Sequence, residues 1–117
     1  MMQLTDFDRS AIRNVIEGQL QAFQTDDANT AFAFASPGIQ QQFGRPENFM
    51  LMVKLGYPPI YRPRSVLFDQ LTFFDDHLTQ TVFLLDVNGT PVRALYLMQK
   101  QPNDTWKING CYLTSIQ

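Results

Sequence analysis

The chain reads as one α+β domain of 117 residues, N-terminal helices followed by a four-stranded antiparallel meander. Three observations carry that reading. Apolar residues recur at i, i+3, i+4 spacing in the first half. A proline-rich stretch, Tyr57-Pro-Pro-Ile-Tyr-Arg-Pro63, then interrupts the chain, and from Ser65 onward the apolar period becomes alternating. With 44% hydrophobic and only 17% charged residues, residues 1–117 can build a single shared core and need no second domain.

Ile12, Val15, Ile16, Leu20 and Phe23 lay one apolar stripe along a helix that starts near Asp6 and ends near Gln24. Thr5 and Asp8 have the spacing of a capping box with Asp in place of Glu or Gln. Gly18 inside this helix is either simply tolerated or marks the close approach of another backbone. Thr25, Asp26 and Asp27 supply an N-cap and negative charge for a second helix through Asn29 to Ala35, which Pro37-Gly38 closes. Ile39 to Phe43 forms a further helical turn before Gly44. Pro46 then opens a helix that Gly56 stops. The proline-rich joint itself cannot be regular helix.

Strands follow at Ser65–Phe74 and about His77–Asp86, separated by an acidic turn at Asp75-Asp76. Asn88-Gly89 is a strong hairpin signal for a type I′ turn, which sets Val87 opposite Thr90, Leu85 opposite Val92 and Thr81 opposite Tyr96. A last strand runs from Thr105 to about Ser115 after the turn at Gln101–Asp104. This register places Val82, Leu84, Leu95, Leu97, Trp106, Ile108 and Tyr112 on one face. Phe83, Leu85, Val92, Ala94, Tyr96, Met98, Cys111 and Leu113 fall on the other. Both faces are apolar, and short helices cover only one, so the uncovered face is expected to form a homodimer or the wall of a pocket.

Charge and motif content exclude several function classes. The net charge is −2 with basic residues scattered, which argues against a nucleic-acid partner. Cys111 is the only cysteine and His77 the only histidine, so no disulfide and no zinc site can be assembled from them, and no metal or cofactor is implied. No apolar run is long enough to span a membrane and no signal peptide opens the chain, so a cytoplasmic setting is expected. Phosphate loops, nucleophile elbows and EF-hand loops are likewise missing from the sequence.

Helices first, a proline-rich joint and a meander ending in Thr105-Trp-Lys-Ile-Asn-Gly-Cys-Tyr112 resemble the nuclear transport factor 2-like, or cystatin-like, superfamily. More narrowly, Ile16 to Ile39 and Glu47 to Val53, followed by Tyr57 and Pro58, resemble an uncharacterised bacterial domain family within it. The resemblance implies a curved, cone-shaped sheet with helices packed on it. It implies no reaction and no catalytic residues, because the superfamily hosts both enzymes and domains without activity.

Candidate chemistry therefore rests on the residues. His77 with Asp75 could form a base and its partner at a pocket mouth, although a polar strand opening after an exposed turn accounts for both. Asp26 and Asp27 suit capping better than paired acid–base work. Tyr57, Tyr61, Arg62 and Arg64 in the stiff joint, with Tyr96 in the sheet, are candidate ligand contacts; bracing of helix to sheet is the plainer role for the joint. Cys111 reads as a buried, inert thiol. The favoured reading is a non-catalytic, dimeric domain that binds a small apolar ligand or a protein partner. A hydro-lyase or isomerase acting in the cone, and a pure interaction module, are the alternatives.

Overall fold

In a computed structural model that describes residues 3–116, five helices precede a four-stranded antiparallel sheet. The helices are α1 (Asp6–Gln24), α2 (Ala28–Ala33), α3 (Pro37–Phe43), α4 (Pro46–Gly56) and α5 (Pro58–Tyr61), and the strands are β1 (Ser65–Phe74), β2 (His77–Leu85), β3 (Pro91–Lys100) and β4 (Trp106–Ser115). The strands lie in chain order, β1-β2-β3-β4. None of the described helices is long and apolar enough to cross a membrane.

Helix α1 starts where its capping box predicts. The Thr5 hydroxyl accepts from the Asp8 backbone N–H at 3.0 Å, and the Asp8 carboxylate accepts from the Thr5 N–H at 3.1 Å. Asp8 also accepts from the indole Nε1–H of Trp106 at 3.3 Å, which ties this end of α1 to the sheet. Asp27 caps α2 through the Thr30 N–H at 3.1 Å. Two helical expectations need correction. Pro37-Gly38 does not close α2; Ser36 accepts from the Ile39 N–H, and Pro37 opens α3 as its first residue. The joint contains one helical turn, α5, because Pro58 and Pro59 occupy first-turn positions whose N–H groups have no intrahelical partner anyway.

The β2–β3 register is also corrected. Leu85 faces Pro91, Leu84 faces Val92 and Val82 faces Ala94, one residue away from the type I′ expectation. The cause is Asp86, whose carboxylate accepts from the N–H groups of Asn88 and Thr90, both at 2.9 Å. Those bonds stabilise a three-residue loop in which only Gly89 takes positive φ, at 80°. Asp75 and Asp76, with φ of 47° and 66°, instead form the tight two-residue turn between β1 and β2.

A one-residue slip exchanges the faces of one strand relative to its neighbour. The helix-facing side therefore carries Val82 and Leu84 of β2 together with Val92, Ala94, Tyr96 and Met98 of β3. In β4, Leu97 pairs with Gly110 and Met98 with Ile108, so Asn109 is an extra, bulged residue. The bulge brings Trp106, Ile108, Cys111 and Leu113 onto the same core side despite their uneven spacing. Phe83, Leu85, Leu95 and Leu97 fall on the opposite face, outside the core.

Candidate functional site

Phe34 to Ser36, the link between α2 and α3, runs beside β4: the Ile108 N–H donates to the Phe34 carbonyl at 2.9 Å and the Ser36 N–H to the Ile108 carbonyl at 2.8 Å. This link and the bulge hold the short helices against one end of the sheet. Between them lies a cavity of about 560 Å³. Helix α1 contributes Gln19 and Phe23, α3 contributes Ile39, and α4 contributes Phe49, Met52 and Val53. Tyr57 and Ile60 close one side, and the sheet supplies Tyr96 and Ile108 to Tyr112. Phe49 packs against Phe23, Phe32 and Phe43 with ring centroids 6.1, 5.6 and 5.7 Å away, which fixes the helical wall.

No charged side chain lines this cavity among the described residues. Its polar groups are amides, tyrosine hydroxyls and one thiol. Gln19 donates its amide N–H to the Ala31 carbonyl at 3.1 Å, and Asn109 accepts from the Ser36 hydroxyl at 2.6 Å. The Tyr57 hydroxyl donates to the Cys111 carbonyl at 3.0 Å. Burial raises the pKa of Tyr57 and, more strongly, of Tyr96, and pushes the Cys111 thiol well above the ordinary cysteine range. These groups stay protonated at neutral pH, so they serve as hydrogen-bond donors rather than bases or nucleophiles.

The residues singled out from the sequence are placed in four separate regions. Tyr57 and Tyr96 line the cavity. Tyr61 and Arg62 turn to the α1–α2 connection, where the Tyr61 hydroxyl donates to the Asp26 carboxylate and Arg62 pairs with the same carboxylate at 3.3 Å. Lys54 lies 3.7 Å from it. The Tyr61 hydrogen bond, then Lys54 and Arg62, lower the Asp26 pKa. Arg64 reaches over the β2–β3 loop, 2.9 Å from where a Cβ on Gly89 would sit. His77 is exposed at the start of β2, opposite Phe74, and with Asp75 lies in the β1–β2 turn rather than on the cavity wall.

Gln19, Asn109 and Cys111 were not read as wall residues from the sequence. The available signal was Asn109-Gly110 in mid-strand, a pattern that marks bulges. A second, smaller recess of about 340 Å³ sits at the β1 bulge, lined by Arg9, Arg13, Phe68 to Leu71 and Gln80. There the buried Gln80 amide donates to the Asp69 carbonyl at 3.0 Å and closes the bulge.

Among known families, the model described as "Domain of unknown function (DUF4864)" matches residues 5–117. No curated protein and no solved structure matches the chain.

Proposed function

Because the chain belongs to the family described as Domain of unknown function (DUF4864), whose description names no reaction, its own cavity carries the functional reading, and we propose that it binds a small, neutral, largely apolar ligand without transforming it. The observation that supports this most directly is the uncharged wall around about 560 Å³. Ligand sites occupy roughly 300–1,000 Å³ and combine an apolar lining with a few placed polar groups. A hydro-lyase or isomerase would need a base tuned toward neutrality, whereas burial raises the pKa values of Tyr57, Tyr96 and Cys111 on the wall. The arrangement of helices on one side of the meander supports placement in the nuclear transport factor 2-like superfamily, and a cytoplasmic setting remains part of the proposal.

Thermal denaturation with 2-ethylnaphthalene and with 2-naphthoate tests the reading. At ten times its Kd, a ligand that binds only the native state stabilises it by about 1.4 kcal/mol, which raises the Tm of a domain this size by roughly 5 °C. The hydrocarbon should produce this shift, the carboxylate should not, and Val53→Phe should reduce the response by narrowing the cavity. Equal shifts in wild type and Val53→Phe, or none with neutral compounds, would defeat it.

A homodimer through the outer sheet face is the second part of the proposal. Phe83, Leu85, Leu95 and Leu97 form an apolar centre there, with Leu67 (66% exposed) and Tyr112 (59% exposed) at its edges. Four strands of nine or ten residues span roughly 600 Å² in projection. Side-chain relief brings that near the ~800 Å² per partner of a standard interface. A second copy is the occupant favoured, since one apolar face meeting itself about a two-fold axis covers both patches at once. Sedimentation at micromolar concentration should give twice the 13.5 kDa chain mass, and Leu95→Glu should give the single-chain mass; a wild-type monomer sinks this part alone.

A further inference from the structure

The wall of the cavity contains one side chain whose chemistry the fold leaves incomplete. Tyr96 is 1% exposed, and its hydroxyl is the one buried side-chain polar atom without a hydrogen-bond partner among the described residues. The other buried or constrained polar groups of the wall contrast with it: Gln19 donates to Ala31, Asn109 accepts from Ser36 and Tyr57 donates to Cys111. A buried hydroxyl with no partner has lost its bonds to water and replaced them with nothing. Phenylalanine would fill the same volume at lower cost, so a partner from outside the chain, a trapped water or a ligand oxygen, accounts for the hydroxyl. With no charged group on the wall, that partner is a neutral one.

We propose that the Tyr96 hydroxyl is the polar anchor of the cavity's ligand, which assigns the ligand to neutral molecules carrying an acceptor oxygen, such as a ketone or ester, on an apolar body. This rests on the reading of the cavity as a ligand site. The hydroxyl donates, and burial raises its pKa well above the ordinary value, so it remains a donor throughout the physiological range. Its surface is closed to water. The ligand's apolar body therefore drives entry, and the oxygen reaches the hydroxyl through a small displacement of the wall. A carboxylate would bring a charge that nothing on the wall neutralises.

Calorimetric titration of wild type and Tyr96→Phe with 2-acetylnaphthalene and 2-ethylnaphthalene, a ketone and its near-isosteric hydrocarbon, tests the assignment. Tyr96→Phe without ligand should melt at or above the wild-type temperature. It should bind the ketone about fivefold to tenfold more weakly, the effect of one net hydrogen bond, and bind the hydrocarbon within about twofold of wild type. The ratio of the two affinities in both proteins isolates the hydroxyl from general changes in the cavity. An unchanged ratio overturns the anchor while hydrocarbon binding leaves the cavity reading standing. A Tyr96→Phe protein that melts well below wild type overturns it too, since the hydroxyl would then be bonded within the protein. If neither compound binds wild type, the cavity reading fails and the anchor falls with it.

Discussion

At Gly18 the residue type is set by a neighbour distant in sequence. A Cβ there would lie 2.6 Å from Cζ of Phe34, whose ring crosses α1 at this point. Alanine is favoured over glycine by about 1 kcal/mol in a helix interior. Gly18→Ala is expected to realise none of that gain while Phe34 is present and to recover it in a Phe34→Ala background, a coupling that urea denaturation of the four proteins measures. Cys111 carries a second residue-level expectation. Its raised thiol pKa leaves little thiolate at about pH 8, so modification by an aromatic disulfide reagent should be far slower in the native protein than after unfolding. Binding of 2-ethylnaphthalene should slow it further, because Cys111 lines the cavity. The thiol's position in the last strand was readable from the sequence; its place on the cavity wall was not.

Elements begin and end here for reasons that are local, and most were therefore legible. Thr5→Ala removes one half of the α1 capping box and should cost about 1 kcal/mol in chemical denaturation. The β2–β3 hairpin shows where local reading stops. Asn-Gly is a strong type I′ pair, yet Asp86 immediately precedes the loop and bonds two of its N–H groups, which selects a longer loop and a shifted register. Asp86→Ala should destabilise the protein by roughly 1–2 kcal/mol. Gly89→Ala should cost about 1 kcal/mol, since φ is 80° and the added Cβ meets the Arg64 guanidinium. A wild-type-like urea midpoint for Asp86→Ala would remove the proposed cause of the register.

For the whole molecule, three carboxylates link stability to acid. The pKa of Asp8 is lowered first by the Thr5 backbone hydrogen bond, that of Asp26 by the Tyr61 hydroxyl and that of Asp27 by the Thr30 side chain. A carboxylate with a lower pKa in the folded state contributes stability that is fully present above its ordinary value and lost as pH falls through the folded one. Tm should thus change little on this account from neutrality to somewhat above pH 3.8, the ordinary value, and fall below it. Asp26→Asn should lower Tm at neutral pH and flatten the acid limb. An acid limb identical to wild type would remove Asp26 from the link between the α1–α2 connection and α5.

The succession of helices then strands, the capping of α1, the break after Gly56 and the presence of more apolar sheet surface than the helices can cover were all determined by sequence alone, whereas the helical turn at Pro58–Tyr61 was not. Each depends on neighbours within a turn or a hairpin, where spacing and residue type act directly. Tertiary structure decided which strand faces join the core, how the Asn109 bulge brings Ile108 and Cys111 to one wall, and which tyrosines meet the cavity. Those outcomes depend on a carboxylate choosing between loops and on side chains from several helices and two strands converging. Tyr57 and Tyr61 make the point together: they lie in one short segment, yet one hydroxyl meets Cys111 beside the cavity and the other meets Asp26 at the surface. Their direction follows from how α4 and α5 pack, which no local pattern encodes.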